Sequence, residues 1–582
     1  MVKSILFNPV ACLARGIENL YIQRENNRFY ILKRSCGALA RTLSVTLFPL
    51  ALTVELIFKK APKALLAITF SNDQIKKIKF RKKISGVEKF ALGILFSPLG
   101  FFHTPDAVSC FFLKTFDLKP AVRPFGVEKI YGKKIEGIHF PSDENELRTL
   151  ILRAKNDNKQ VSIIGSGMSQ GEQTVPSKKK HILINMRNFK AIGLGNNNET
   201  VKAGAGAIWE EIQLAVNGKG KSVIVKQASD LFSVGGSIGI NCHGWAHDYG
   251  AIASTVEELE VMDAEGKVHI LKPTNPMFGC FFGTMGYFGI VMNATFKLAD
   301  NDHLIEKTVE VKLDEFTENY ENNIKNHQDI PLFGGRLVLD SRKGHPLRKV
   351  CMVSYEKDGE LKSSLPVKSD FLLEARYGTL FQRVALQAIS HLSNLSARIV
   401  LSKFWDRERG SMLAGRKLTR NEALHPPINA FLMLHHSNLH AQWLQEYFIT
   451  KKNLPNFLRY LGLQLESNNV RLINATIRPT PKDDISILPY AEQDRYAVVL
   501  SFNQFKSNKE IKRTEKWIKE VNEYVTAGGD VYYQAYMPYA SKEQFEKAYG
   551  EERVENMRKL KTQFDPENRF GNSHTARYFD NN

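Results

Sequence analysis

The sequence predicts an α+β protein of more than one domain. Its 582 residues exceed what one ordinary core serves. Hydrophobic residues at 43% and charged residues at 24% are the proportions of a globular chain. Beyond about residue 303, strand and helix segments are mixed, the pattern of an α+β domain.

Residues 1–120 differ from the rest. They hold 19 basic and 7 acidic residues, so +12 of the net charge of +19 falls here. Leu39 to Phe58 is largely apolar but carries Arg41, Pro49 and Glu55, which makes it marginal as a spanning helix of ~20 residues. Ala61 to Phe70 and Phe90 to Phe102 are shorter apolar runs, with six basic residues in eight from Lys76 to Lys83 between them. Apolar runs alternating with Lys/Arg clusters fit helices lying on an anionic membrane surface. The expectation is a basic, helical extension on the cytoplasmic side of a membrane, peripheral or single-span. The alternative is a soluble helical extension of a cytoplasmic protein. Ile5 to Ala14 is too short and too interrupted for a cleaved signal peptide. No nucleic-acid module is visible, so no nucleic-acid partner is expected. The six cysteines form no C-x-x-C pair, which suggests neither a metal site nor a disulfide framework, and a reducing compartment is the simpler assumption.

Leu118 to Lys134, with two prolines and two glycines, reads as a linker. A helix is expected from Ser142, its N-cap, to about Asn156. Then come three glycine clusters. Val161-Ser-Ile-Ile-Gly-Ser-Gly-Met-Ser-Gln-Gly171 is a strand breaking into a loop, Val234 to Gly244 contains Gly235-Gly236, and Gly283 to Val291 leads into Thr295-Phe-Lys-Leu298. Glycine lets backbone approach a ligand closely, and successive loop N–H groups can converge on an anion such as a pyrophosphate. Between the clusters, Ile208 to Val216 reads as a helix and Leu259 to Leu271 as a hairpin. A Rossmann dinucleotide site is the first alternative. It fits poorly: G-x-G-x-x-x-G is one residue too long, Glu172 to Lys180 is poor helix, and no acid stands near Asn185.

These residues resemble the flavin domain of the vanillyl-alcohol oxidase / p-cresol methylhydroxylase (PCMH-type) superfamily. The family's loop, its D/N-(M/L) strand, its AGAG-type turn, its GG-x-I-x-x-x-x-HG segment and its G-x-x-G-I-(V/I) strand match, in order, Gly165 to Ser169, Ile182 to Met186, Val201 to Trp209, Gly235 to Gly244 and Gly286 to Val291. The resemblance implies a PCMH-type FAD-binding domain of two α+β subdomains over 127–300, an α+β cap over 303–545, and a C-terminal return to the flavin domain over 546–582. It implies that FAD is held by Gly165, Ser166, Gly167, Met168, Ser169, Gly235, Gly236, Ser237, Gly239, Asn241, His243, Gly244, Gly289 and Ile290. Many members carry a flavin-linked His where this chain has Met168, and some a Cys where it has Ser229. FAD is therefore expected to be non-covalent, although Cys242 and His243 lie in the neighbouring segment. The plainer reading of His243 is a hydrogen-bonded loop histidine.

In the cap, strands are expected at Ile305–Val311, Gly335–Leu339, Lys349–Tyr355, Asn429–His435, Val470–Arg478 and Tyr496–Phe502. Helices are expected at Phe371–Leu401, Leu454–Leu465 and Asn508–Thr526. Asn474 to Leu488 resembles a strand of alditol and aldonolactone oxidases that reads E-I-R before a pair of acids. Arg478 matches the family's active-site arginine, while the family's Glu is Thr476 here, a departure that puts a simple alditol substrate in doubt. The alternative for Arg478 is a strand-end salt bridge with Asp483 or Asp484. Tyr532 to Tyr539 matches a segment that points residues at the flavin ring, with Tyr536 where sugar-lactone and polyprenyl-sugar oxidases have Lys. A tyrosine base near neutrality needs a lowered pKa. On a strand, Tyr533 and Tyr536 would face opposite sides. Leu560 to Phe570 resembles the family's C-terminal K-x-x-x-D-P signature.

The resemblance therefore implies an FAD-dependent oxidoreductase, an oxidase or dehydrogenase. It would oxidise the CH–OH group of an alditol, lactone, sugar-like or lipid-linked sugar substrate and pass electrons to oxygen or another acceptor. The expected catalytic residues are Arg478 with Tyr536 or Tyr533. Two rivals are a nicotinamide-dependent reductase of a lipid or sterol C=C bond and a membrane-tethered protein that has lost catalysis.

Overall fold

The computed structural model describes residues 138–177, 181–339, 347–359, 409–410, 412–425, 440–505 and 508–580. The expected strand at Asn429–His435, the expected helix at Phe371–Leu401 and the whole 1–120 extension lie outside the described residues.

The first layer is a parallel sheet of β1 (Ile138–His139), β3 (His181–Asn185) and β2 (Gln160–Ile164), in that order. Helix α1 (Glu144–Asn156) packs on it through Leu147, Ile151 and Ala154, all fully buried. The N-cap of α1 is Asp143, not Ser142: the Asp143 carboxylate accepts from the Glu146 amide at 2.9 Å. Ser142 instead donates its amide and hydroxyl to Glu146, so it stands one residue outside the cap.

The second sheet orders β4 (Ile192–Leu194), β5 (Thr200–Gly204), β9 (Ile290–Asp300), β7 (Val256–Met262) and β8 (Val268–Leu271), with β6 (Lys221–Val223) on the far end of β9. The expected hairpin is present as the antiparallel pair β7–β8. Helix α2 (Trp209–Asn217) begins after the AGAG turn and buries Trp209 and Ile212; the short α3 (Val234–Gly239) carries the glycine pair.

The third sheet has eight strands. Its order is β13 (Arg416–Thr419), β10 (His303–Lys312), β12 (Lys349–Lys357), β11 (Leu332–Leu337), β15 (Arg471–Thr480), β16 (Arg495–Phe505), β14 (His440–Ile449) and β17 (Val531–Tyr532). Helices α4 (Leu313–Asn323), α5 (Arg420–Ala423), α6 (Leu454–Ser467) and α7 (Asn508–Ala527) connect it. Five of the expected strands and two of the expected helices fall on these elements. Strand β14 was not anticipated, because its buried side chains follow no two-residue alternation.

The chain then runs through α8 (Lys542–Tyr549), α9 (Glu551–Phe564) and α10 (Ser573–Tyr578). Between the last two, it pairs with β2: the Val161 amide donates to the Arg569 carbonyl at 2.7 Å and the Gly571 amide to the Val161 carbonyl at 3.0 Å. The K-x-x-x-D-P residues hold this turn. The Lys561 ammonium meets the Asp565 carboxylate at 2.6 Å, and Asp565 accepts the amides of Arg569 and Phe570, both at 2.9 Å.

Candidate active site

The loop after β2 is built to leave its backbone open. A Cβ on Gly165 would run into the Ser233 hydroxyl, and one on Gly206 into the Met186 carbonyl. Gly167 has φ +75°, a conformation that favours glycine. The Ser166 amide donates to Ser233 Oγ at 3.2 Å, and the Ser233 amide to Ser166 Oγ at 3.3 Å, which clasps the loop to the start of α3. The amides of Gly167, Met168 and Ser169 have no hydrogen-bond partner among the described residues. Consecutive uncommitted N–H groups beside a cleared backbone form an anion cradle.

Other expected cofactor residues serve the cradle's walls. A Cβ on Gly235 would stand 3.0 Å from the Ala205 Cβ, so the pair sets how closely α3 approaches the AGAG turn. The Ser237 hydroxyl accepts from Trp209 Nε1 at 2.9 Å and donates to the Ser233 carbonyl at 3.0 Å, which commits it to packing. The Gly239 carbonyl accepts from the Met285 amide at 2.9 Å. Asn241 donates to Asp483 Oδ2 at 2.9 Å, and Gly244 lies against the Lys226 carbonyl. Gly289 fits beneath the Met262 carbonyl, and Ile290 is fully buried in the core around β2 and β3.

The catalytic candidates converge on a residue that the sequence reading did not single out, Glu446 of β14. His243 Nε2 hydrogen-bonds Glu446 Oε1, and the Tyr536 hydroxyl donates to Glu446 Oε2 at 3.2 Å. A carboxylate only accepts, so His243 carries its proton on Nε2; Nδ1 has no partner among the described residues. Glu446 is 2% exposed and Tyr536 is half-buried, so the phenol is the open end of the chain. Tyr533 and Tyr536 do not face opposite sides. Strand β17 stops at Tyr532 and the chain turns, leaving the two rings 5.6 Å apart in edge contact. Tyr533 donates to the Ile240 carbonyl at 2.6 Å and is fixed by it.

Burial pushes the Tyr536 phenol well above its usual pKa, and the Glu446 charge adds to this while Arg478 opposes it. Tyr533 is pushed up in the same way, first by burial. Neither tyrosine meets the requirement of a lowered pKa that a phenolate base would have.

Arg478 lies on β15 with its guanidinium carbon 5.3 Å from the centre of the Trp245 ring. It makes no salt bridge with the acids after it. Asp483 is taken up by Asn241, Ser486 and the amide of Ile485, and Asp484 by Lys482. Arg478 Nε is buried without a partner among the described residues. Burial lowers its pKa, while Glu446 and Tyr536 favour the charged form. Gly334 of β11 clears room for Trp245, since a Cβ there would enter the indole.

Residues 135–272 match the family model described as an FAD binding domain, and residues 294–578 match that of D-arabinono-1,4-lactone oxidase. The chain carries a PCMH-type FAD-binding domain. Among curated proteins it is similar to L-gulonolactone oxidase of Mus musculus, 23% identical over 200 residues, covering 34% of this chain and 45% of that protein. It is similar to D-arabinono-1,4-lactone oxidase of Candida glabrata, 26% identical over 175 residues, covering 29% of this chain and 33% of that protein. It is also similar to decaprenylphosphoryl-beta-D-ribose oxidase of Mycolicibacterium smegmatis, 26% identical over 161 residues, covering 27% and 35%. The matched stretches span less than half of each relative's length.

FAD is the cofactor of this PCMH-type domain, and the donor set fits it: the cradle at Gly167 to Ser169 suits a pyrophosphate. The neighbouring thiol does not suit covalent attachment. Burial pushes Cys242 up to about 12, which keeps it protonated and poorly nucleophilic. Sequence reasoning missed Glu446, Trp245 and Gly334. The aromatic run Tyr447-Phe448 after Trp443 was the available signal for their strand.

Proposed function

We propose that this protein oxidises a CH–OH group of a sugar lactone, sugar or lipid-linked sugar with non-covalently bound FAD as the oxidant. The observation that carries the reading is the buried Arg478, with its Nε unpartnered among the described residues, beside Tyr536 and Glu446. FAD supplies two-electron acceptance of a hydride when bound. The amides of Gly167, Met168 and Ser169 would hold its pyrophosphate. Arg478 binds a substrate hydroxyl and favours negative charge developing on its oxygen, a task suited to a planar, permanently charged group in a water-poor site. The indole of Trp245 keeps the guanidinium in one plane by cation–π contact. Oxygen or another acceptor then takes the electrons.

Residues 1–120 are proposed to rest on an anionic membrane on its cytoplasmic side, which would bring a lipid-linked substrate within reach. This rests on their +12 charge and three apolar runs.

The test is a visible spectrum of the purified protein, then anaerobic mixing with L-gulonolactone, D-arabinono-1,4-lactone, polyols and polyprenyl-linked sugars. Bleaching by a lactone or sugar is the expected result. Bleaching by NADPH alone would replace this reading with double-bond reduction.

A further inference from the structure

The site contains a hydroxyl whose proton already points at a carboxylate. Tyr536 donates to Glu446 Oε2 at 3.2 Å, and His243 holds the other oxygen, Oε1. The three side chains come from places far apart in the chain: the segment after β17, strand β14 and the loop after α3. Their backbones are held by hydrogen bonds outside the three side chains. The Gln173 side chain donates to the Ala535 carbonyl at 3.0 Å, and Gln170 Oε1 accepts the Leu444 amide at 2.8 Å, so the flavin loop braces both the tyrosine segment and β14. The Tyr533 amide donates to the Glu446 carbonyl at 2.9 Å, which ties the two segments together two residues from the phenol's neighbour Ala535.

A phenol held this way cannot serve as a free phenolate, but it need not. It can accept one proton on its oxygen while giving up another. We propose that Tyr536 and Glu446 form a two-member proton relay for the oxidation, with His243 as the residue that positions the carboxylate. This rests on the CH–OH oxidation proposed above. The substrate O–H bond breaks as its proton reaches Tyr536 Oη. The Tyr536 O–H bond breaks as its proton reaches Glu446 Oε2, and a carboxylic acid forms. Bound FAD would supply the two-electron oxidant, so the substrate's C–H hydrogen would leave with its electron pair and the carbon–oxygen bond would become a carbonyl. Tyr536 ends as it began, and the net proton rests on Glu446.

The relay also accounts for a departure in this chain. The acid expected two residues before Arg478 is Thr476, whose buried hydroxyl has no partner among the described residues. A carboxylate is nevertheless present within electrostatic reach of Arg478, delivered from a different strand. The charged or titratable groups around Glu446 are His243, Tyr536, Tyr533, Arg478, Tyr490, Tyr549 and Cys242. Burial drives the four tyrosines and the thiol upward, so none of them is an ionised base beside the Glu446 carboxylate.

Two measurements on the FAD-loaded full chain test it. The first needs no substrate: an infrared pH titration of wild type, Glu446→Gln and Tyr536→Phe. The carboxylate band lost in Glu446→Gln should shift in Tyr536→Phe, because the bond between them is gone. An unmoved band overturns the relay whatever the substrate is. The second follows anaerobic flavin reduction by whichever compound bleaches the wild type. Tyr536→Phe and Glu446→Gln should each slow it by about 10²–10⁴-fold, the usual worth of a proton acceptor. Glu446→Asp, which keeps the carboxylate, should restore part of the rate. On wild-type reduction, the stretch of a protonated carboxyl should appear, and dithionite reduction of Glu446→Gln should lack it. Wild-type rates in either variant overturn the relay. Should Glu446→Gln lose FAD, Tyr536→Phe carries the same two readings. Failure of every compound to bleach the wild type, with the substrate-free band shift intact, refutes the CH–OH reading and leaves the Tyr536–Glu446 bond standing.

Discussion

The guanidinium of Arg478 lies over the indole of Trp245, 5.3 Å from the ring centre, and this pair joins two parts of the fold. Trp245 follows the His243-Gly244 turn of the flavin-binding domain; Arg478 stands in the middle of the eight-stranded sheet. The Trp245 carbonyl also accepts the Phe333 amide of β11 at 2.8 Å. The glycine-rich segment and the cap sheet are thus locked in register where the chemistry is proposed.

Arg478→Lys should separate binding from turnover. Lysine keeps the charge but loses the planar fork and the flat face against Trp245. The variant should take up FAD with an ordinary spectrum and be reduced by its substrate about 10²-fold more slowly, as when one transition-state donor is removed. Stopped-flow reduction measures this, and an unchanged rate would return Arg478 to a packing role.

Gly167→Val should abolish flavin uptake, because valine is strained at φ +75° and its bulk enters the cradle. Gly193→Ala is the control, since nothing lies within 4 Å of an added Cβ there. Flavin absorbance per protein, after gel filtration, gives the comparison. Met168→Leu should bind FAD as the wild type does.

Acid precipitation should leave a yellow supernatant and a colourless pellet. Met168 cannot form the family's histidyl link, and Cys242 is held protonated by burial. Colour retained in the pellet would identify a covalent flavin.

The buried group Lys226–Asp230–His425 should make stability fall in acid. Asp230 meets Lys226 at 2.5 Å and His425 Nδ1 at 2.5 Å. Burial alone would raise its pKa, but Lys226 and His425 outweigh this and hold it at about 2, below the ordinary 3.8. A depressed folded-state pKa gives stability that is fully present above pH ~4 and lost as pH falls toward ~2, here on the order of 2 kcal/mol. Asp230→Asn should be less stable than wild type by at least that amount at neutral pH and should lose this acid limb. Denaturant melts at pH 7, 4 and 3 decide it; parallel curves for both proteins would contradict the assignment.

Full-length protein should bind anionic vesicles and release as salt rises, since each basic residue near the surface contributes ~1 kcal/mol and is screened beyond ~8 Å. Sedimentation with neutral and anionic vesicles at two salt concentrations reads this. Release by detergent alone would indicate a spanning segment at Leu39–Phe58.

The glycine loops could be read from sequence because their constraint is local. A backbone that must pass within contact of Ser233, Met186 or Ala205 demands glycine at the residue itself. Arg478 was legible because Asn474 to Leu488 resembles a strand of alditol and aldonolactone oxidases in which an arginine precedes a pair of acids. Glu446 was not, because its burial is balanced by His243, 203 residues earlier, and Tyr536, 90 residues later. A buried acid on an unrecognised strand looks like a surface residue until its partners are known. Tyr533 and Tyr536 misled for the opposite reason: strand geometry was extended to Tyr536, four residues past the end of β17 at Tyr532.

The pairing of Val161 with Arg569 and Gly571 sets an order of events during synthesis. Strand β2 leads directly into the flavin loop and pairs with β3 on one edge, yet the partner of its other edge is made 408 residues later, counting from Val161 to Arg569. At a translation rate of ~5–20 residues per second, that interval is ~20–80 s. Throughout it, the nascent chain has one edge of β2 unmatched and the Lys561–Asp565 clasp unmade. The strand that carries the flavin loop is therefore clasped on both edges only once the C-terminal turn has been synthesised.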